Sequence, residues 1–175
     1  DAKTIKGFLD KYVFGKKENT KAADKDPKLN YGRNADQSVM TEHYEKTIKK
    51  LLSDSDNDSA TITSTKRNSG DQARAMYQNV IDLGLDSQYR LYGPGGDAVL
   101  DKYVELQQTG ASASVIKSGM RDKIDQVVSS GGAVSAHMQD YRRKGAFDID
   151  PNSLLNRNRF LHVLERSKAN GIILK

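Results

Sequence analysis

One histidine and one aspartate in the second half of the chain are of the residue types that make a metal site. His137 leaves a short predicted strand, residues 133–136, and Asp148 lies within the next predicted strand, residues 146–149. Zinc accepts a neutral imidazole nitrogen and a carboxylate oxygen, and catalytic zinc sites use three protein ligands together with a water molecule. Chance easily places such a pair eleven positions apart in a chain of this length. By residue type alone, a structural role remains the favoured interpretation.

Three other features have residue types suited to chemistry, and a structural role explains each of them better. The acidic run at residues 54–58 resembles the start of a calcium loop, but the chain lacks the Gly at loop position 6 and the Glu at position 12. The glycines at 93–96 lack the Gly-Lys-Ser/Thr ending of a phosphate loop. His43 and His162 are lone histidines within predicted helices, where packing roles are commoner than ligand roles.

The elements that position these residues are mostly helices. Apolar residues at helical spacing predict helices at residues 1–15, 38–52, 70–83, 97–108, 112–128 and 153–169. Short β-branched or apolar runs predict strands at residues 60–64, 133–136, 146–149 and 171–174. This pattern predicts an α+β fold with a small, mainly antiparallel sheet of short strands and several helices packed on it.

Two parts of the chain are expected to differ in organisation. Residues 16–34 are rich in Lys, Asp and Asn, a composition typical of a linker or an exposed arm. We therefore divide the chain into residues 1–37, an N-terminal helix with a polar arm or linker, and residues 38–175, the main folded domain.

Composition limits the classes of function. The chain has 175 residues, 36% of them hydrophobic, and a formal net charge of +5. It has no Cys, which excludes disulfide scaffolds, thiolate zinc sites and cysteine nucleophiles. No apolar run approaches the roughly 18 residues that cross a bilayer, so we expect no membrane span. The positive charge permits an anionic partner, and the basic residues 141–144 keep a nucleic-acid-binding module open as an interpretation.

Two ordered motifs favour the metal interpretation over the structural one. The first is Thr-Ser-x-x-Arg at residues 63–67, which ends a predicted strand and precedes a helix that opens near Gln72. The second is Ser-x-His at residues 135–137, followed by Ala-x-Asp at residues 146–148. In these motifs and in their order, about residues 38–175 resemble the zinc-dependent murein peptidases. These are the D-Ala-D-Ala carboxypeptidases and the L-alanyl-D-glutamate endopeptidases of phage lysins, which are related in fold to the hedgehog signalling domain.

The resemblance implies a zinc site with His137 and Asp148 as ligands. The side chains of Asp148 and Asp150 point to the same face of a strand, so strand direction does not choose between them. The Ala-x-Asp register of the family selects Asp148 and leaves Asp150 to cap the following turn. His162 is the candidate third ligand. The chain departs from the family at two points here: four extra residues separate His137 from Asp148, and Lys144 stands where the family has Gly.

The same resemblance implies the residues that hold a substrate. Arg67 would bind a substrate carboxylate through its planar fork of donors, with Gln72 and Ser135 as further substrate-binding residues. In the family a general-base Glu and a second zinc His follow the strand that corresponds to residues 171–174. Neither is present in this chain. We therefore expect a domain that is truncated at its C-terminus, completed by another chain, or inactive.

These implications favour a zinc-dependent peptidoglycan peptidase that cleaves a stem-peptide bond. Such a protein would be a cell-wall-degrading hydrolase of phage endolysin type, located in a virion or in the bacterial periplasm and cell wall. The first alternative is a non-catalytic structural component of a virion or secretion assembly, built on a degenerate peptidase fold. The second is a basic nucleic-acid-binding module, which is the least favoured. Residues 1–34 and the C-terminal strand are the candidate contacts with a larger protein assembly.

Overall fold

The computed structural model describes residues 26–170, so the predicted helix at 1–15 and the predicted strand at 171–174 lie outside the described residues. The elements within this range are β1 (Lys28–Asn34), α1 (Glu42–Asp54), β2 (Ser59–Ser64), α2 (Ser69–Leu83), α3 (Leu85–Leu91), α4 (Pro94–Gln108), α5 (Ala113–Ser129), β3 (Asp148–Ile149) and α6 (Arg157–Ala169). Short 3-10 turns lie at Gln37–Val39, Ala136–Met138 and Pro151–Ser153. The predicted α+β class is confirmed. None of the helices between residues 26 and 170 has the length and apolar character that crossing a membrane requires.

The small sheet is mixed rather than mainly antiparallel as the sequence predicts, and its longest pairing is parallel. The strand order is β1-β2-β3, with β1 parallel to β2 and β2 antiparallel to β3. Strand β1 lies within the segment whose composition predicts an exposed arm. Leu29 and Tyr31 nevertheless pack against the apolar residues of the sheet. Two apolar residues among Lys, Asn and Arg indicate a strand only weakly in the sequence. They suffice for a strand that packs against a core formed by other elements.

The first of two cores lies between the sheet and the helices α1 and α6. Alternate residues of β2, namely Ala60, Ile62 and Ser64, are buried, as expected for a strand with one covered face. The other buried apolar residues of this core are Ile48, Leu51, Leu52 and Phe160. Helix α1 begins after Thr41, whose side chain accepts a hydrogen bond from the backbone of Tyr44.

The second core is formed mainly by helices. Helices α2, α4 and α5 enclose the buried residues Ala73, Met76, Val80, Val99, Leu100, Tyr103, Ile116, Met120, Ile124 and Val134. Helix α2 begins after Asn68, whose side chain accepts a hydrogen bond from the backbone of Asp71. Because α2 follows β2 after only four residues, the connection at 65–68 lies between the two cores.

The acidic run at residues 54–58 has a structural role. Ser55 and Asn57 are almost completely buried. The Ser55 hydroxyl donates to the Leu51 carbonyl at 2.6 Å, and Asn57 Oδ1 accepts from the backbone of Asn156 at 2.8 Å. This turn therefore joins the end of α1 to the start of α6.

The predicted strand at residues 133–136 is not formed. Val134 is buried in the helical core, and the Ser135 side chain caps a 3-10 turn at Ala136–Met138 instead of continuing an extended segment. The Ser135 hydroxyl accepts a hydrogen bond from the His137 backbone N–H, and this bond favours the turn over the predicted strand. Serine side chains commonly compete in this way with regular secondary structure. His137 therefore lies on a turn and not at the end of a strand.

Candidate functional site

His137 and Asp148 meet at the junction between the two cores. The His137 Nε2 atom lies 3.3 Å from the Asp148 Oδ1 atom. The other ring nitrogen, Nδ1, lies 2.7 Å from the carbonyl oxygen of Thr65. A carbonyl oxygen can only accept a hydrogen bond, so Nδ1 carries a proton. In a neutral ring, Nε2 then presents a lone pair towards the carboxylate.

Backbone contacts from three segments hold this pair in place. The Ser135 hydroxyl accepts a hydrogen bond from the His137 backbone at 3.2 Å, which fixes the 3-10 turn. The Arg67 backbone N–H donates to the His137 carbonyl at 2.8 Å. Asp148 pairs with Ser64 across the antiparallel strands β2 and β3. The histidine and the aspartate are thus both attached to the β2 end that precedes α2.

Arg67 is held by three hydrogen bonds from its guanidinium group. Nε donates to Ser64 Oγ at 2.9 Å, Nη1 to Gln72 Oε1 at 3.4 Å, and Nη2 to Asp148 Oδ2 at 2.9 Å. The Arg67 side chain is only 19% exposed. Gln72 is completely buried, and its Nε2 donates to the Tyr92 hydroxyl at 3.3 Å. Two of the five guanidinium N–H donors remain for a ligand.

The Asp148 carboxyl group is ionised at neutral pH. Burial by itself would raise its pKa, but the hydrogen bond and charge of His137 in its protonated form, together with the charge and hydrogen bond of Arg67, outweigh this effect. The pKa therefore lies below its ordinary value of 3.8. Each carboxylate oxygen has its own partner, since Oδ1 faces His137 and Oδ2 accepts from Arg67.

An aromatic cluster packs the segment between His137 and Asp148. The Tyr141 side chain is 4% exposed and meets Phe147 edge to face, with ring centroids 5.7 Å apart. Its hydroxyl donates to the Ala146 carbonyl, and the Tyr44 hydroxyl donates to the Tyr141 carbonyl at 2.8 Å. Burial raises the pKa of Tyr141 to about 12, so the hydroxyl remains a donor. The residues between His137 and Asp148 thus pack against one another beside β3.

A polar cleft of about 870 Å³ opens beside the site. Arg67 and Asp148 belong to its wall, together with residues that follow β1 and β2 and residues of the first turns of α2. His137 is not part of this wall, and its side chain is 12% exposed. A ligand in the cleft would therefore meet Arg67 and Asp148 first.

The structure brings together five of the residues named from the sequence, namely Arg67, Gln72, Ser135, His137 and Asp148, but His162 does not join them. His162 is an exposed residue of α6. Between residues 26 and 170 there is no group of three or more His, Asp or Glu side chains suited to hold a metal ion. Asp150 caps the 3-10 turn at Pro151–Ser153, as predicted.

Two contacts of the site have no clear signal in the sequence. The Thr65 carbonyl that fixes the His137 ring is a backbone group, and any residue type could supply it. Tyr92 lies in the connection before α4, twenty positions from its partner Gln72. The Thr-Ser-x-x-Arg motif, by contrast, already contains Ser64 and Arg67, which are in direct contact.

No protein-family model matches this chain, and neither a curated protein nor a solved structure matches it. The candidate site is therefore assigned from its residues and their geometry.

Proposed function

We propose that this chain is the zinc-binding part of a peptidase that acts on the stem peptides of peptidoglycan, with His137 and Asp148 as two of the zinc ligands. The contact between His137 and Asp148 carries the proposal. With Nδ1 donating to the Thr65 carbonyl, Nε2 and the carboxylate present lone pairs to each other unless a proton or a cation lies between them. A divalent cation satisfies both.

The spacing of the two atoms supports zinc as that cation. Two ligands at about 2.0–2.2 Å from a tetrahedral zinc ion lie about 3.4 Å from each other. The observed separation of Nε2 and Oδ1 is 3.3 Å. The outer partners also agree with a metal site, because ligating imidazoles commonly donate their second N–H to a carbonyl and ligating carboxylates are commonly hydrogen-bonded. Here these partners are Thr65 and Arg67.

The other residues of the site would orient the ligands and the substrate. Arg67 holds Asp148 and keeps two free donors for a substrate carboxylate at the cleft. Gln72 is buried, so its influence on a substrate passes through Arg67. Ser135 fixes the turn that carries His137. A bound zinc ion would supply a Lewis acid for the scissile carbonyl and would lower the pKa of a water molecule.

No general base is assigned among the residues that match the murein-peptidase motifs, so zinc-dependent binding of a stem peptide is the property to test in this chain. Metal-stripped protein is titrated with zinc against a chromophoric chelator, and then with a synthetic stem peptide by calorimetry. We expect one zinc ion per chain. His137→Ala and Asp148→Ala should each weaken its binding at least about tenfold.

His43→Ala is the matched control, because His43 is an exposed histidine on α1 and should leave zinc binding unchanged. Zinc affinity that is the same in His137→Ala and in the unchanged protein contradicts the assignment. Stem-peptide binding that is equal with and without zinc contradicts the peptidase part of the proposal and leaves the metal site intact.

A non-catalytic structural component is the second candidate. The observation that favours it is the charge balance of the site, because Arg67 alone compensates the single negative charge of Asp148 without a metal. In that case the network only ties the two cores together. Absence of saturable zinc binding, with cooperative unfolding that is unchanged by zinc, is the result that this candidate predicts.

A further inference from the structure

The polar cleft lies at the carboxyl ends of the two parallel strands. Residues Arg33–Asp36 at the end of β1 and residues 63–68 at the end of β2 form adjacent parts of its wall. Helix α2 begins at the same edge and contributes its first turns. In open sheets, the crevice outside the carboxyl ends of parallel strands is a frequent place for ligands.

The cations of the cleft fall into two pairs. Arg67 is bound to Asp148, and Arg74 is bound to Asp71, so the charges of these two arginines are compensated within the protein. The side chains of Arg33 and Lys66 are exposed, and neither has a hydrogen-bond or ion-pair partner among residues 26–170.

Among the described residues of the cleft wall, the one remaining carboxylate, that of Asp36, already accepts hydrogen bonds. It accepts hydrogen bonds from the hydroxyl and the backbone N–H of Ser38 at 2.6 and 2.9 Å. Those hydrogen bonds, together with the nearby charge of Lys66, hold the pKa of Asp36 below its ordinary value. Its charge attracts Lys66 at a distance and leaves the donors of both Arg33 and Lys66 free.

We infer that Arg33 and Lys66 form an anion-binding subsite of this cleft, which takes a carboxylate or phosphate group of a polar ligand. The first-turn N–H groups of α2 add positive potential at the same edge, because they have no partner within the helix. The volume of about 870 Å³ is large enough for a peptide or sugar fragment attached to that group. The walls carry amides such as Asn34 and Asn79, which suit a polar ligand.

The subsite does not require the proposed zinc site, since among the described residues no hydrogen bond or ion pair joins Arg33 or Lys66 to His137 or Asp148. The probes are therefore inorganic phosphate and glutarate, added to metal-stripped protein at low ionic strength. Binding is followed by the NMR shifts of the backbone amides of residues 33–36 and 64–70. Both anions should produce saturable shifts there, and raising the ionic strength should weaken them.

Four variants decide whether the subsite is specific. Arg33→Gln and Lys66→Gln should each weaken anion binding about fivefold, and the double variant about twentyfold. Arg90→Gln removes an exposed cation of α3 outside the cleft wall and should change nothing. Tighter binding of glutarate assigns the subsite to carboxylate ligands, and tighter binding of phosphate to phosphoryl ligands. The inference is overturned if neither anion shifts these amides, if Arg33→Gln and Lys66→Gln leave binding unchanged, which would assign it to Arg67, or if Arg90→Gln weakens binding as much as they do.

Discussion

At His137, the hydrogen bond from Nδ1 to the Thr65 carbonyl decides what the other ring nitrogen can do. It fixes the ring orientation and the position of one proton, so Nε2 is left facing the Asp148 carboxylate at 3.3 Å. Sequence motifs identify the two side chains but not this carbonyl. The chemical character of the pair therefore depends on a backbone group that only the fold supplies.

The lowered pKa of Asp148 has a consequence for stability against acid. Its folded pKa lies below 3.8, its ordinary value, so the ionised carboxylate stabilises the fold. This contribution is fully present above about pH 4 and is lost as the pH falls through the folded pKa. We expect the stability difference between the unchanged protein and Asp148→Asn, measured by urea unfolding, to shrink from about pH 6 to about pH 2. A difference that is constant over this range contradicts the assignment.

Arg67 should contribute to stability as well as to ligand binding. Arg67→Ala leaves Ser64 and Gln72, both buried, without the donor they accept from, so we expect a loss of about 2 kcal/mol in the free energy of unfolding. Arg74→Ala is the control, because its ion pair with Asp71 is exposed and should contribute at most about 0.5 kcal/mol. Equal losses in the free energy of unfolding of the two variants, measured with urea, would contradict this prediction.

Among the elements, helix α4 includes glycines that the sequence alone assigns to a turn before the helix. The glycines at 93–96 predict a turn, yet α4 begins at Pro94 and includes Gly95 and Gly96. A Cβ atom on Gly95 would collide with the Ala133 carbonyl oxygen and crowd Val127. Glycine is therefore needed here because the start of α4 touches the segment that follows α5, and not because the backbone turns.

This contact gives a prediction with a close control. Gly95→Ala should destabilise the protein by about 2 kcal/mol, although Ala is the better helix former, because the backbone of residue 133 must move. At Gly93 a Cβ would meet nothing within 4 Å, so Gly93→Ala should change stability by less than about 0.5 kcal/mol. Thermal unfolding of both variants checks this, and a Gly95→Ala variant as stable as Gly93→Ala would contradict it.

The elements differ in how well the sequence predicts them. The long amphipathic helices α1, α2, α4 and α5 are predicted to within a few residues, because their apolar stripes face a core. Strand β1 and helix α3 are missed, since a seven-residue element with few apolar residues has no periodicity to detect. The strand predicted before His137 is wrong because a side-chain cap competes with it. The site residues can be identified from sequence motifs, whereas hydrogen-bond partners such as the Thr65 carbonyl and Tyr92 are brought to them only by tertiary packing.

In the molecule as a whole, the site depends on both cores. Asp148 belongs to the sheet, His137 follows α5 of the helical core, and Arg67 lies on the connection between them. The ion pair of Arg67 with Asp148 and the backbone bond from Arg67 to His137 therefore join the two halves. A ligand that bridges His137 and Asp148 should stabilise the whole protein, because it binds only when both cores are in place.

The most direct test of the proposed zinc site is a crystal structure of the protein with zinc, with anomalous diffraction recorded above and below the zinc absorption edge. We expect an anomalous peak about 2.0–2.2 Å from both His137 Nε2 and Asp148 Oδ1, with the His137 Nδ1 hydrogen bond to Thr65 preserved. No peak at this position, or zinc found only at the exposed histidines His43 and His162, would contradict the assignment.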